Sequence, residues 1–177
     1  VLIANGEIYN HLSIRSSLNY NWRTSGDSEA ILALHENFIK QGGQANHQDW
    51  VAKLNGMFSF ALWDAKREEL ILARDALGIK PLVRCELDGS LLFSSEIKAF
   101  HAHESYQPKL DETALALRLS WEYTLDSSTL IEGVHQVRPG TVEVWKLDMQ
   151  SKPYLASVKS FERQQLAPGP NWNPQVD

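Results

Sequence analysis

The sequence predicts an α+β domain built on antiparallel sheets. Three observations point there. Short β-rich runs follow one another across tight turns, as hairpins do. The helical patterns fall in separate clusters instead of alternating with the strands. Neither GxGxxG nor GxxxxGK[ST] occurs, so no phosphate-cradling loop of a βαβ unit announces itself.

The elements follow in chain order. Residues 1–4, Val-Leu-Ile-Ala, read as a buried strand that stops at Asn5-Gly6. Asn10 is placed to cap a helix running to Leu18, with Leu12, Ile14 and Leu18 as its apolar marks. Residues 19–26 are polar and turn-like, and Tyr20 and Trp22 alternate as in a short strand. The clearest helix comes next. Asp27 or Ser25 caps it, Glu29 sits in its first turn, Ile31, Leu34 and Phe38 recur at helical spacing, and Gly42-Gly43 ends it. Residues 49–54 form a shorter helix closed by Gly56.

The period then changes. Phe58, Phe60 and Leu62 alternate with Ser59, Ala61 and Trp63, as in a strand. A charged loop at 64–68 leads to a second strand at 70–73, and the two pair as a hairpin. Residues 82–87 and 91–94 flank Asp88-Gly89, a strong turn signal for another hairpin. Residues 96–100 form a brief helix. Asp111 caps a helix carrying Leu115, Leu117, Leu119 and Trp121. Pro139-Gly140 turns the chain into a strand at 141–147. After Ser151 the pattern fades, and Ala167-Pro168-Gly169-Pro170 with Pro174 reads as linker. The expected division is a folded unit over 1–150 and a linker over 151–177.

Composition narrows the function. The 177 residues suit one domain, and 10% aromatics is too much apolar surface for a disordered chain. With 17 basic against 22 acidic side chains, the net charge of -5 offers no nucleic-acid surface. The apolar runs fall far short of the ~20 residues that cross a bilayer, and no charged-then-apolar leader opens the chain. A single cysteine, Cys85, allows neither an internal disulfide nor a thiolate metal cage. That usage fits a reducing, cytoplasmic setting. Val1 opens the chain inside an apolar run, so the natural protein is expected to extend further on that side.

Several residues have two readings. Asn5-Gly6 after a β run is the usual signal of a two-residue hairpin turn, and local chemistry favours it. The other reading is an oxyanion site, in which an Asn carboxamide and the next backbone N–H face one developing negative oxygen. Such donors contribute roughly 2.7–4 kcal/mol each in acyl transfer. Glu7 beside them could hold an ammonium group. Asp27 is a helix cap or, if it faces inward, a second carboxylate for that group.

Other candidates favour structural roles. Arg74-Asp75 reads as an internal ion pair and turn, with Gly78 at positive φ and Pro81 as a stop. Glu96 and Lys98, two apart, are expected to face different sides of a helix as surface residues. Cys85 lies mid-strand without a neighbouring His, which argues against a reactive thiolate. The six His residues show no metal-ligand spacing, and His101 with His103 reads as an exposed loop.

Five blocks, in order, resemble the glutaminase domain of glutamine-hydrolysing asparagine synthetases. They are Asn5-Gly6-Glu7-Ile8-Tyr9-Asn10-His11, the Asp27-Ser28-Glu29 helix start, the run from Leu54 to Asp64, the run from Ala73 to Leu82, and Ser94-Ser95-Glu96-Ile97-Lys98-Ala99. The resemblance spans Val1 to about Leu147. It implies a class II glutamine amidotransferase with an αββα sandwich of two antiparallel sheets, the N-terminal nucleophile hydrolase fold. It implies an N-terminal cysteine that attacks the carboxamide of glutamine, with its own amine as base, and forms a glutamyl thioester. Asn5 and Gly6 would be the oxyanion donors, and Glu7 and Asp27 would bind the α-ammonium end of glutamine. Ammonia would pass to a C-terminal synthetase domain in cis, which uses ATP and Mg to amidate an aspartyl carboxylate. This chain itself would need no cofactor or metal. The resemblance reverses the preference for a hairpin at Asn5-Gly6.

The departures carry their own expectations. The nucleophilic cysteine, the Arg-Gly-Pro-Asp segment with the arginine that grips glutamine, and the Ser-Gly-Gly-Leu-Asp-Ser ATP loop do not occur in this sequence. Gly26 stands where the family has Ser, Val83-Arg84 replaces an aromatic pair, and Arg138-Pro139-Gly140-Thr141 replaces Pro-Pro-Gly-His. A fragment explains these absences, and such a chain alone is expected to be inactive. Its unpaired sheet edges predict poor solubility or self-association, which leaves a homodimer open. The competing function is a non-catalytic structural domain, as in β-lactam synthetase-like relatives that keep the fold without glutaminase activity.

Overall fold

A computed structural model describes residues 1–122 and 126–161. The expected linker residues Ala167, Pro168, Gly169, Pro170 and Pro174 lie outside the described residues. Among the described residues, eight strands form two antiparallel sheets. The larger has the order β1 (Leu2–Ile8), β2 (Gly56–Asp64), β3 (Glu69–Arg74), β7 (Thr141–Leu147) and β8 (Pro153–Ser160). The smaller has the order β5 (Ser90–Ser94), β4 (Val83–Leu87) and β6 (Val134–Gln136). Helices α1 (His11–Ser17), α2 (Glu29–Lys40) and α3 (His47–Val51) precede β2. A 3₁₀ turn (Ile97–Ala102) and α4 (Glu112–Trp121) follow β5.

Strand β2 explains the layering. Its period-2 pattern sends Phe58, Phe60 and Leu62 to one face and Ser59 and Ala61 to the other. The first face packs with Ile31 and Leu34 of α2, Trp50 and Val51 of α3, and Val142 and Val144 of β7. On the second face Ala61 joins Leu72, Leu82, Val137 and Trp145 between the two sheets. Beyond the smaller sheet, Phe100 and Tyr106 pack on Val83, Cys85 and Val134. Helices, five strands, three strands and a thinner outer layer therefore stack in that order. This is the α+β sandwich of two antiparallel sheets that the resemblance implies.

Local departures have physical reasons. Asn5-Gly6 makes no turn: β1 runs through it to Ile8, with Asn5 opposite Ser59 and Gly6 opposite Phe58. A long-range partner overrides the local turn propensity. Residues 19–26 form no strand. Tyr20 and Trp22 meet edge to face, with the Arg15 guanidinium over the Trp22 ring. Ser28 occupies the N-cap position of α2 without a side-chain cap. Asn10 spends its carboxamide on Lys53 O and Asn55 N rather than on α1. Arg74 and Asp75 form no ion pair with each other. Arg74 donates to the carbonyls of Gly78, Lys80 and Val137, and Asp75 accepts from Leu77 N, Ile79 N and Lys80 N. Gly78 does take positive φ, at 65°. Leu119 and Trp121 of α4 are exposed, although Asp111 caps that helix as expected through Ala114 N. The fading pattern after Ser151 hides β8, whose mostly exposed residues pair with β7 from Thr141 to Leu147.

Candidate active site

The geometry of β1 follows from its register. Val1 accepts from Trp63 N, and Tyr9 donates to Asn55 O. In an antiparallel ladder the bonded pairs alternate, so residues 1, 3, 5, 7 and 9 bond toward β2. Residues 4, 6 and 8 then point their N–H groups outward, off the free edge of the sheet. The partner side agrees, because Phe58, opposite Gly6, turns its N–H and C=O to Asp75 instead. Ile8 N meets the Asp27 carboxylate at 2.6 Å. The Gly6 N–H, two residues earlier on the same edge, takes no partner among the described residues.

Side chains alternate the other way. Ile8 is buried against the helices. Asn5 and Glu7 therefore share the opposite face, toward the smaller sheet. There Asn5 lines a cavity of about 490 Å³ with Ser59, Ala61, Leu82, Phe93 and Ser95. Its Nδ2 donates to Ser95 Oγ at 3.1 Å. Glu7 is exposed and makes no ion pair or hydrogen bond among the described residues. Gly6 is required by space. Its φ is 137°, and a Cβ there would stand 2.0 Å from Met57 O.

Asp27 is half-buried and does face inward, which the capping reading did not require. It reaches β1 because the loop before it is held from α2. Glu29 accepts from Arg23 N, Thr24 N and Thr24 Oγ1 at 2.7, 2.8 and 2.8 Å. Those bonds, the Arg23 N–H foremost, hold the Glu29 carboxyl below its ordinary range against the opposing effect of burial. The structure thus gathers Asn5, Gly6 and Glu7 on consecutive positions of one edge strand, with Asp27 beside that edge. A carbonyl oxygen near Asn5 and Gly6 would meet two N–H donors, and an ammonium group near Glu7 and Asp27 would meet carboxylates.

The remaining candidates lie elsewhere. Cys85 is buried in β4, and burial pushes its thiol up, the opposite of what a nucleophile needs. Glu96 and Lys98 pair at 2.7 Å rather than facing apart, because Glu96 is extended before the 3₁₀ turn begins. His101 packs edge-on to Tyr106. Among the described residues no cluster of His, Cys, Asp or Glu is placed to hold a metal, and no helix is long and apolar enough to cross a membrane. Sequence reasoning assigned no role to Ser95 or to the Glu29 clamp, since both act across loops that carry no periodic signal.

The chain is similar to several known proteins. The glutamine amidotransferase domain family matches residues 1–155. Asparagine synthetase [glutamine-hydrolyzing] 3 of Bacillus subtilis is 34% identical over 142 residues, which is 78% of this chain and 22% of that protein. Amidase chyE of Penicillium rubens is 36% identical over 140 residues, 78% of this chain and 19% of that protein. The chain thus spans about a fifth of the length of these curated relatives. Among solved structures, the glutamine phosphoribosylpyrophosphate amidotransferase of B. subtilis superposes with a TM-score of 0.56 at 19% identity, over 91% of this chain and 29% of that one.

Proposed function

From the premise that the chain belongs to the glutamine amidotransferase domain family, we propose that it forms the glutamine-binding face of an asparagine synthetase-like enzyme. That enzyme would release ammonia from glutamine and use ATP with Mg, in a C-terminal domain of the same protein, to amidate an aspartyl carboxylate. The observation that carries this reading is the parity of β1. One register sends the Asn5 side chain into the cavity and turns the Gly6 N–H outward, while Asp27 closes on the same edge at Ile8.

The roles follow from the chemistry. Glu7 and Asp27 hold the α-ammonium of glutamine. Asn5 Nδ2–H and Gly6 N–H face the carboxamide oxygen and stabilise the negative charge it gains when a thiolate adds to the carbon. This sequence supplies no such thiolate, because its one thiol is buried in β4. The attacking cysteine belongs to a segment outside this sequence, and the chain alone binds glutamine without hydrolysing it. The length of the relatives supports a further synthetase domain.

Calorimetric titration of the chain with L-glutamine tests the proposal. Binding is expected, with D-glutamine excluded, and Asp27→Asn and Asn5→Ala weaken it. No binding would overturn the reading. Glutamate release abolished by Cys85→Ser would overturn the assignment of the thiol.

A further inference from the structure

We propose that Ser95 is a positioning residue of this site, holding the Asn5 carboxamide in the orientation that leaves one N–H for the substrate oxygen. The inference rests on the glutaminase reading given above. It starts from a simple deficit. Asn5 sits on an edge strand with an exposed side chain, so packing alone does not choose its rotamer. An oxyanion donor contributes only if it is already aimed before charge develops. Something must therefore fix the carboxamide.

The one polar contact of the Asn5 side chain among the described residues is Ser95 Oγ, at 3.1 Å. It spans 90 residues of sequence and the two sheets, because Asn5 lies on β1 and Ser95 follows β5. A primary amide has two N–H bonds about 120° apart. Ser95 accepts one, and the other is left in the cavity that both residues line. A hydroxyl suits this task because its proton rotates away and presents a lone pair.

Ser95 is itself held in place. The Glu96 N–H donates to Ser94 Oγ at 3.1 Å, which turns the chain tightly at that point. The 3₁₀ turn that follows is anchored by the buried ring of Phe100. The acceptor therefore belongs to a fixed corner of the smaller sheet, while the donor belongs to the larger sheet. The bond sets the distance across the mouth of the cavity as well as the rotamer of Asn5.

The test uses the chain labelled with 15N-asparagine, with Asn5→Ala identifying the Asn5 side-chain signal. Ser95→Ala should move that NH₂ pair toward its free-amide position, and Ser95→Thr should leave it. L-glutamine should shift the pair in the wild-type chain. Ser95→Ala should weaken that titration roughly three- to tenfold, the loss of one oriented hydrogen bond, and Ser95→Thr should restore it to within about twofold. A purely structural role would instead lower Tm, which Ser95→Ala should move by less than about 2 °C at this half-buried site. If wild type responds to glutamine and Ser95→Ala binds equally well, the inference fails while the glutaminase reading stands. If wild type does not respond, the glutaminase reading fails and this inference with it.

Discussion

The ion pair between Arg84 and Glu143 offers a direct measure of what joins the two sheets. Arg84 lies on β4 and Glu143 on β7, so the pair crosses the interface. Arg84 Nε stands 2.7 Å from Glu143 Oε2, and the two side chains are 13% and 5% exposed. The Nε–H is not aligned as a hydrogen bond, so the attraction is Coulombic. The Trp145 Nε1–H donates to the same Oε2 at 3.0 Å, and the guanidinium carbon lies 5.0 Å from the centre of the Trp145 ring.

Replacing Arg84 by Met keeps the apolar stem and removes the charge. Glu143 is then a buried anion with one neutral donor. Breaking a buried pair in this way costs about 3–5 kcal/mol, and the lost contact with the Trp145 ring adds roughly 0.5–1 kcal/mol. For a domain of this size each kcal/mol lowers Tm by about 2–4 °C, so Arg84→Met should lower it by roughly 7–24 °C. The double variant Arg84→Met with Glu143→Gln removes both charges, and the Gln oxygen still accepts from Trp145. It should recover much of the loss, with a coupling of about 1.5–3 kcal/mol in the cycle. Thermal unfolding followed by far-ultraviolet circular dichroism measures all four proteins. A fall below about 2 °C for Arg84→Met, or strict additivity in the cycle, would refute the reasoning.

Three further outcomes are expected. Gly6→Ala places a Cβ into the Met57 carbonyl at a φ of 137°, so it should destabilise by about 3 kcal/mol or more and abolish glutamine binding, as urea unfolding and calorimetry would register. Asp75→Ala strips Leu77, Ile79 and Lys80 of their N–H acceptor at a residue that is 1% exposed; a loss of about 3–5 kcal/mol is expected, with amide exchange accelerating first over 76–81. Burial holds His35 and His47 below the ordinary 6.5, while Asp64, Glu69, Arg67 and Lys146 face the pair. The unfolded chain then binds the extra protons, so stability is full above about pH 6.5 and falls as pH drops through the folded values, by up to about 1.4 kcal/mol per pH unit for each histidine. Urea midpoints at pH 7.5 and 5.5 should show the decline and His47→Gln should flatten it; a midpoint that is level or rises on acidification contradicts this.

How much of this was legible in the sequence depends on where each signal lives. The hairpin at Asp88-Gly89 and the cap at Asp111 were readable because their partners are a few residues away. The middle strands were readable because burial on alternating faces leaves a period of two. Strand β8 was not, since the residues from Pro153 to Ser160 are mostly exposed and their order comes from pairing with β7. Residues 19–26 show the converse, because Tyr20 and Trp22 mimic a strand while serving as a platform for Arg15. For the site, the residue types at Asn5, Gly6, Glu7 and Asp27 were visible, but their joint geometry was not. Ser95 carried no signal of its own, because a lone serine after a strand is common.

Asn5-Gly6 was ambiguous because both readings use the same freedom. A hairpin wants Gly for positive φ, and the strand here wants it for close approach to Met57 O. What separates them is register, which is fixed far from the dipeptide. Ile8 must reach the core, Gly56 must pass Glu7 O with room for no Cβ, and Asp27 must find Ile8 N. A slip of one residue would turn Asn5 to the helix face and its N–H outward, and would turn the Gly6 N–H into the ladder with β2. No residue would have changed, yet the carboxamide and the free N–H would no longer serve one oxygen. The site is therefore best described as a property of the β1–β2 register, and perturbations of that register should abolish glutamine binding even when they touch none of the residues that contact it.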